Sequence, residues 1–443
     1  METMKKLDRA VLLIVIINTF FLRYIKVLYP EWYILDVFLL CYIAVQLLKQ
    51  KIKFDFIVYL SLFFVMTVLA INIQKFGFNS NVISNILMLF MPGTLILYFI
   101  YLRKTYTVNV LELLAKNLTL FLNCYFVLNA IIVYIQYRTE TFMMGKFIVY
   151  NSFIFDHMAG LIGMNGVSVL NYIWIATLLF NLYFFLESKS KWRLALLIVE
   201  FIVILVLSIL NDNKMFSITF LPFLIAYFVF YFINHKISSK SIVKLLPIVF
   251  LAYVSCILIY SFTNYSEEAN KINDLVGDFL SGDSTVPNAN NERAYLNYMA
   301  FHKYNANDLG IGLGNVTIPD KNIHVHLGIN SSSLVLIQGG IVLLISVINL
   351  YSVLVLKLFS NITSVNKKIV IYIVIFSTLL ISSYATQPFR DHYIFVSLLL
   401  IYLIFYLNTK KRGIENEVSN NHLVSSIKQI RGLNHEKSSV YSP

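Results

Sequence analysis

Residues 331–356 read SSSLVLIQGGIVLLISVINLYSVLVL, a run of 26 residues without a charged side chain. About 20 mostly apolar residues are enough for one helix to cross the hydrocarbon core of a bilayer. Lipid offers the backbone no hydrogen-bonding partners, so a single segment at that depth satisfies its own polar groups as a helix. This run therefore predicts a membrane-spanning α-helix.

The composition of the whole chain has the same character. Of the 443 residues, 58% are hydrophobic and 13% are charged, and the mean hydropathy is +0.73. Soluble domains are roughly 45–50% apolar and about 25% charged. The composition excludes an ordinary soluble enzyme and a disordered chain, and it predicts an all-α polytopic membrane bundle.

Twelve apolar segments are long enough, or nearly so, to be membrane spans. They lie near 9–22, 31–48, 54–73, 81–101, 113–136, 165–186, 194–210, 215–234, 245–263, 331–356, 369–386 and 389–407. This spacing divides the chain into four parts. Helices 1–9 occupy 1–263, a large loop of 67 residues occupies 264–330, helices 10–12 occupy 331–408, and a polar tail occupies 409–443.

The distribution of Lys and Arg predicts the orientation. Alternate connecting segments carry twenty cations, and the opposite short loops carry seven. The seven are Arg23, Lys26, Lys75, Arg138, Lys146, Lys214 and Arg390. Because cytoplasmic loops are rich in Lys and Arg, both termini are predicted to be cytoplasmic and the large loop extracytoplasmic. The net charge of +12 thus reflects topology and predicts no nucleic-acid partner.

Charges inside the predicted spans are few. Glu112 and Lys116 are four residues apart and predict a helical ion pair. Glu200 lies within the seventh span, where a polar contact is expected. No succession of acids or histidines crosses the spans, which disfavours a proton- or sodium-coupled pump. No matching pair of Pro- or Gly-broken spans occurs in the two halves, which weighs against many transporter folds.

The large loop contains NNERAYLNYMAFHKYNANDLGIGLGN, residues 290–315. Asn290 or Asn291 can cap a helix at its start. At 100° per residue, Arg293, Asn297 and Ala300 share one face of that helix. The opposite face, predicted to pack on the bundle, carries Tyr295, Met299 and His302. The helix is therefore predicted to present one cation while its aromatic face is covered.

Two short patterns follow this helix. The glycines at 310, 312 and 314 predict a tight turn, and no strand precedes them as a nucleotide-binding loop requires. His324 and His326 then alternate within IHVHLGINSSSLVLIQGGI, residues 323–341. Two histidines without a third ligand are a weak metal signal, so we predict a base or a hydrogen-bond donor here and no metal.

These patterns together resemble the O-antigen ligase and polymerase superfamily. The resemblance rests on the helix led by Arg293, the sequence GIGLGN and the Asn-Ser element that leads to Gly-Gly-Ile at 339–341. A second stretch, HMAGLIGMNGVS at 157–168, resembles the superfamily's loop before the sixth span. The resemblance implies about a dozen helices with a large outer loop before the third-last span. It also implies transfer of lipid-diphosphate-linked oligosaccharides to one another, by polymerases, or to a lipid acceptor, by ligases.

The match is incomplete at several positions. Asn330 and Ser331 fit the superfamily's His-Asn-Ser element, but Ile329 stands where histidine is usual and His326 comes three residues earlier. His157 stands where arginine is usual, with Gly160 and Asn165 in register. After the seventh span, Asn213 and Lys214 replace the usual Ser-Arg pair.

The chemistry of such a transfer requires a grip on the diphosphate and a base. Arginine binds phosphate oxygens bidentately and stays charged, and histidine titrates in the range needed to activate a hydroxyl. The predicted catalytic residues are Arg293, His326 and His157, and the predicted substrate-binding residues are Arg390, Lys214, Arg138, His324 and Asn330. No cofactor is predicted.

We predict a polymerase of polyprenyl-diphosphate-linked oligosaccharide units for a capsular or other surface polysaccharide, in the cytoplasmic membrane. A flippase and a chain-length regulator are candidate partners. The alternatives are an O-antigen-type ligase, a lipid-linked oligosaccharide flippase and a prenyl-phosphate-sugar glycosyltransferase. For the last of these, Glu31 is the one carboxylate in the first outer loop. A composition rich in Ile, Asn and Lys, typical of AT-rich genomes that are often Gram-positive, favours a polymerase over a ligase.

Overall fold

The structure is a computed structural model of the whole chain. It describes residues 4–22, 34–49, 56–141, 158–163, 166–211, 215–234, 298–300, 309–315, 317–318, 323–324, 331–358, 365–385 and 393–409. The chain is an all-α membrane protein in these parts, apart from one two-stranded ladder of two residues per strand. The tail after 409 and most of the loop 264–330 lie outside the described residues.

Eleven α-helices are described in these ranges. They are α1 Lys6–Ile17, α2 Ile34–Leu48, α3 Phe56–Phe76, α4 Ser80–Thr105, α5 Val108–Thr139, α6 Val167–Ser188, α7 Lys191–Leu210, α8 Met215–Asn234, α9 Ser331–Leu358, α10 Val365–Ala385 and α11 Tyr393–Thr409. A π-helical turn, Asn18–Leu22, continues α1, and a 3-10 turn covers Gly160–Ile162. The strands β1 Thr317–Ile318 and β2 Ile323–His324 pair antiparallel.

A helix covers each predicted span that falls on described residues, and the ninth span, 245–263, lies outside them. Six helices are long and apolar enough to cross a membrane by themselves: α3, α4, α5, α6, α7 and α9. The membrane class and the all-α fold are thereby confirmed. The number of twelve spans remains a prediction.

Helix α6 forms the centre of its part of the bundle. Of the 18 most apolar consecutive residues of α6, 89% are buried by the rest of the protein, whereas only 28% of those of α7 are buried. Both helices are strongly apolar, so their burial by neighbouring helices, and not their hydrophobicity, distinguishes the central helix from the lipid-facing one. The outward side chains of α3 and α7, such as Phe63 and Val199, are apolar and exposed, as expected of a lipid-facing surface. Cys41 and Cys124 are exposed as well and lie on this outer surface.

Helix α9 is broken near its middle. Gly340 has φ 71° and ψ −177°, which is not a helical conformation and which residues with a side chain rarely adopt. Residues before and after it remain helical, so α9 consists of a first piece, 331–339, and a second piece, 341–358. The break frees the carbonyls of Ile337 and Gln338 from their usual partners one turn later.

Asp8 occupies a buried position at one end of the bundle, and this end is called the Asp8 end. The hydroxyls of Tyr42, Tyr101 and Tyr106 donate to its carboxyl oxygens, and Tyr98 donates to its carbonyl at 3.0 Å. Asp8 is 2% exposed, so the phenol hydroxyls replace the water that its carboxyl group loses on burial. The cluster fastens the first turn of α1 to α2 and α4.

Arg103 fastens α9 at the same end. Its guanidinium donates to the carbonyl of Leu358, the last residue of α9, and lies 5.8 Å from the ring of Tyr406. A cation is favourable at the C-terminus of a helix because the free carbonyls there carry partial negative charge. The ion pair predicted between Glu112 and Lys116 is confirmed, with 3.5 Å between Oε1 and Nζ.

Candidate functional site at the loop end

Two loop segments lie at the end of the bundle opposite Asp8, which is called the loop end. Helix α4 joins the two ends, because its Asn85 is bonded to Leu313 and its Tyr101 is bonded to Asp8. Helix α1 runs from Asp8 to the turn Asn18–Leu22, which packs against the Gly160–Ile162 turn. The segments 158–163 and 309–315 thus share this end.

The segment 309–315, called the glycine turn, closes the gap in α9. The backbone N–H of Ile311 donates to the carbonyl of Ile337 at 2.8 Å, and the N–H of Gly312 donates to that of Gln338 at 3.1 Å. These are the two carbonyls that the break at Gly340 sets free. A buried carbonyl without a partner is costly, so the broken helix and the turn stabilise each other.

Glycine is required where the turn meets α9. Gly310 has φ +64°, and a Cβ atom there would overlap the carbonyl of Ile337 and lie 2.8 Å from the backbone nitrogen of Gly340. Gly312 has φ +99°, and its Cβ would lie 2.6 Å from the ring of Phe76. The tight turn predicted from the glycine pattern is confirmed, and its purpose here is a close approach of two backbones.

Asn72 of α3 binds the turn with both ends of its amide. Its Nδ2 donates to the carbonyl of Leu309 at 3.0 Å, and its Oδ1 accepts from the N–H of Leu313 at 3.0 Å. The same Nδ2 lies 3.4 Å from the carbonyl oxygen of Gln338. Asn72 is 1% exposed and therefore ties the turn, α3 and the broken helix together in a buried position.

Three more asparagines bind the same turn. Asn85 Nδ2 donates to the carbonyl of Leu313 at 2.7 Å, and Asn79 and Asn81 each donate to that of Gly314 at 3.3 Å. Asn79 also caps α4, because its Oδ1 accepts from the N–H of Val82 at 3.1 Å. The glycine turn is therefore fixed to α3 and α4 by side-chain amides and to α9 by backbone hydrogen bonds.

The segment 158–163 is held in the same manner. Asn129 of α5 accepts from the N–H of Leu161 at 2.6 Å, and Gln136 accepts from the N–H of Gly160 at 3.0 Å. Asn211, which follows α7, donates to the carbonyl of Met158 at 3.4 Å. Gly160 has φ +64° and touches the Asn129 amide, so no side chain fits there. The described parts of both stretches, 158–163 and 309–315, are thus bonded into the bundle.

The predicted helix that begins near Asn291 is described only over 298–300, where the backbone is helical. Met299 is 8% exposed and packs with Ile311 and Leu334, as its predicted face requires. Ala300 is 0% exposed, so its predicted place on an open face beside Arg293 is wrong. Both faces of this turn are covered, because the glycine turn and α9 enclose it.

Two of the predicted site residues fall on described positions. Arg138 lies exposed in the last turn of α5, two residues after the buried Gln136 and so on another face of the helix. His324 is the last residue of β2, and its backbone position pairs with Thr317. Arg293, His326, His157, Arg390, Lys214 and Asn330 lie outside the described residues.

A crevice of about 30 Å³, open to solvent, lies between α4 and α9 beside the glycine turn. Its polar lining comes from Asn85, Ser331 and Gln338, and the remainder is apolar, with Met88 and Leu334 among the lining residues. A volume of this size has room for one or two water molecules beside these polar groups.

Sequence reasoning missed the asparagines that build this site. Asn85 follows Asn81 by four residues and Asn129 precedes Gln136 by seven, so each pair lies on one helix face, whereas Asn72 stands alone. A polar amide within a predicted span is costly unless it is bonded, and this signal was not used. The break in α9 had a clearer signal, the pair Gly339–Gly340 inside an apolar run.

Comparisons with known proteins add no relative. No protein-family model matches the chain, and no curated protein is significantly similar to it.

Proposed function

We propose that the protein is a membrane polymerase. It joins polyprenyl-diphosphate-linked oligosaccharide units into a surface polysaccharide at the extracytoplasmic face of the cytoplasmic membrane. The proposal rests on the sequence resemblance and on one structural observation: the loop element that follows Arg293 is bonded into a broken membrane helix through the glycine turn. A loop held in this way keeps a fixed position relative to the bilayer.

The lengths of the helices indicate the depth of the glycine turn. The second piece of α9, from Ile341 to Leu358, is about 27 Å long at 1.5 Å per residue. The part of α3 from Phe56 to Asn72 is about 25 Å long by the same rule. Both lengths approach the hydrocarbon thickness of about 30 Å. The turn is therefore expected at headgroup level, where the diphosphate of a polyprenyl donor lies.

Arg293 is the proposed diphosphate ligand. It precedes the described helical residues Tyr298–Ala300 by five positions, and these pack against the glycine turn and α9. Stabilising a departing diphosphate is electrostatic work that a bidentate guanidinium does well. His326 and His157 are the candidate bases. Arg138, Arg390, Lys214, His324 and Asn330 are the candidate contacts to phosphate and sugar.

The test is complementation of a strain that lacks the gene, with the length of its surface polymer as the readout. Arg293→Ala is expected to abolish long polymer, while the protein reaches its normal abundance in the membrane. Arg293→Lys should remain strongly impaired, because the single ammonium group of lysine cannot replace the two parallel hydrogen bonds of a guanidinium. Lys271→Ala, which removes a cation from the same loop, is the matched control and should support normal polymer. Polymer of normal length from the Arg293→Ala strain would exclude this diphosphate site.

A second candidate is a flippase for lipid-linked oligosaccharides. The break in α9 at Gly340 favours it, because interrupted helices line the substrate sites of many transporters. The two functions differ in their product. Purified polymerase in detergent makes longer chains from a polyprenyl-diphosphate oligosaccharide, whereas a flippase requires a sealed vesicle and leaves chain length unchanged.

A further inference from the structure

Three membrane helices meet at a group of two amides and one carboxyl, of which the Asn123 amide is partly exposed and the other two groups are buried. The group consists of Asn123 on α5, Asn181 on α6 and Glu200 on α7. Asn181 is 0% exposed and Glu200 is 2% exposed. Asn181 Nδ2 donates to Glu200 Oε2 at 2.6 Å. The two asparagines face each other as a reciprocal pair, with N···O distances of 2.8 and 3.2 Å.

The remaining carboxyl oxygen, Glu200 Oε1, lies 3.2 Å from the Asn123 amide. In the orientation given above, the Asn123 atom at this distance is its oxygen, which accepts hydrogen bonds and does not donate them. Two acceptors at this distance repel each other unless a proton lies between them. The orientation of the two amides therefore decides what the carboxyl group must be.

An amide has two possible orientations, because its oxygen and nitrogen have nearly the same outline. Turning only one of the two asparagines sets nitrogen against nitrogen at 2.8 Å and oxygen against oxygen at 3.2 Å, so both turn or neither does. If neither turns, Glu200 Oε2 receives an N–H and Oε1 faces the Asn123 oxygen. If both turn, Oε1 receives an N–H and Oε2 faces the Asn181 oxygen at 2.6 Å.

Both consistent orientations thus offer the carboxyl group one N–H and one C=O. A carboxylate only accepts and matches neither arrangement, whereas a carboxylic acid donates once and accepts once and matches both. If both amides turn, the 2.6 Å contact between Glu200 Oε2 and the Asn181 oxygen also falls in the range of an O–H···O bond. The group is complementary to a protonated glutamic acid.

The surroundings agree with a neutral group. Among the described residues Glu200 has no ion pair, and the charged residues of the three helices lie towards the helix ends. These are Glu112, Lys116, Arg138, Glu187, Lys191 and Arg193. An isolated carboxylate costs several kcal/mol at low dielectric, and such groups take up a proton instead.

We infer that Glu200 is an intramembrane proton-binding site, protonated at neutral pH, whose bound proton completes a joint between α5, α6 and α7. The joint also connects to the loop end. Asn129 and Gln136 on α5 and Asn211 after α7 bind the segment 158–163. The proton therefore helps to fix the position of α5 relative to α7, and with it the position of this segment. This inference does not depend on the proposed polymerase activity.

Infrared spectroscopy of the purified protein at pH 7 tests the inference directly. The spectrum of wild type minus that of Glu200→Gln should contain the carbonyl stretch of a protonated carboxyl group, which lies apart from the carboxylate bands. A carboxylate band in its place would overturn the inference. If Glu200→Gln is not recovered, Glu200→Asp serves in the same comparison, because moving the carboxyl group away from the amide pair shifts its carbonyl band.

Thermal unfolding in detergent gives an independent readout. Gln also offers one N–H donor and one C=O acceptor, so Glu200→Gln should unfold within a few degrees of wild type. Glu200→Ala removes both partners and should unfold at a clearly lower temperature. A Glu200→Gln variant as unstable as Glu200→Ala would contradict a neutral acid at this position.

Discussion

The side chain of Asn72 binds the backbone at Leu309 and at Leu313 at the same time, although 237 and 241 positions separate it from them in the sequence. One amide thereby links the third helix to the loop before the ninth. The bond to Leu313 is buried and the bond to Leu309 is partly buried, and both are made to backbone groups of the glycine turn. The position of the turn therefore depends on α3 as much as on α9.

Replacing Asn72 should loosen the glycine turn. Asn72→Ala leaves the N–H of Leu313 and the carbonyl of Leu309 without this partner, at a cost of about 1–3 kcal/mol for each buried group. We expect a lower unfolding temperature in detergent and faster proteolysis near 309–315. Asn81→Ala, which removes one bond of 3.3 Å from an exposed residue, is the control and should change little. Equal effects of the two variants would show that the turn does not depend on Asn72.

Alanine variants of Gly310 and Gly77 distinguish the cost of a close contact from the cost of a left-handed backbone conformation. Both have positive φ, +64° and +85°, but only at Gly310 would a Cβ atom meet other backbone atoms. Gly77→Ala should cost about 1–2 kcal/mol, the usual penalty of a left-handed residue. Gly310→Ala carries the same penalty and also pushes the turn away from Ile337, so it should reduce stability further. The measurement is thermal unfolding, and matching losses in both variants would argue against the close contact.

The phenol of Tyr106 should contribute to stability at neutral pH. Its hydroxyl donates to the Asp8 carboxyl, and hydrogen bonds to charged groups are worth about 1.5–3 kcal/mol. Tyr106→Phe should therefore lower the unfolding temperature. Tyr134→Phe, at a 52% exposed residue, should leave it unchanged. An unaltered unfolding temperature in Tyr106→Phe would mean that Asp8 finds equivalent partners.

The raised pKa of Tyr106 predicts that the stability of the protein depends on pH in the alkaline range. Burial, followed by the hydrogen bond to Asp8, raises the pKa of Tyr106 above its ordinary value of 10.0. A raised pKa means that the folded state holds the proton more tightly than the unfolded chain. Its contribution is complete below about pH 10 and declines as the pH rises further. Unfolding temperatures measured from pH 8 to 11 should fall less steeply for Tyr106→Phe than for wild type.

The orientation in the membrane is open to a direct measurement. Reporter fusions at Ser284 and after Asn408 should report the outside and the cytoplasm, respectively. The reason is that the Asp8 end carries the cations of the predicted cytoplasmic segments, including Lys5, Arg103 and Lys357. Reversed signals would place the glycine turn on the cytoplasmic face and exclude the proposed extracytoplasmic polymerase.

Hydropathy predicted the helices well, because burial in lipid demands long apolar runs whatever the packing. The glycine turn was also predictable, since positive φ and close contact leave few alternatives to glycine. The partner of the turn was not predictable, because nothing local connects Gly310 with Ile337. The cluster around Asp8 was missed for the same reason, since its four tyrosines come from two helices and a connecting residue far along the chain.

The burial of α6 has a consequence for biogenesis. This helix carries Asn171, Thr177 and Asn181, each of which is at most 1% exposed. Lipid would leave these polar groups without partners if α6 left the insertion machinery alone. Helix α7 begins three residues after α6 ends, and the left-handed Lys189 reverses the chain between them. The two helices are therefore suited to enter the bilayer as one hairpin, in which Asn181 meets Glu200 before either side chain faces lipid.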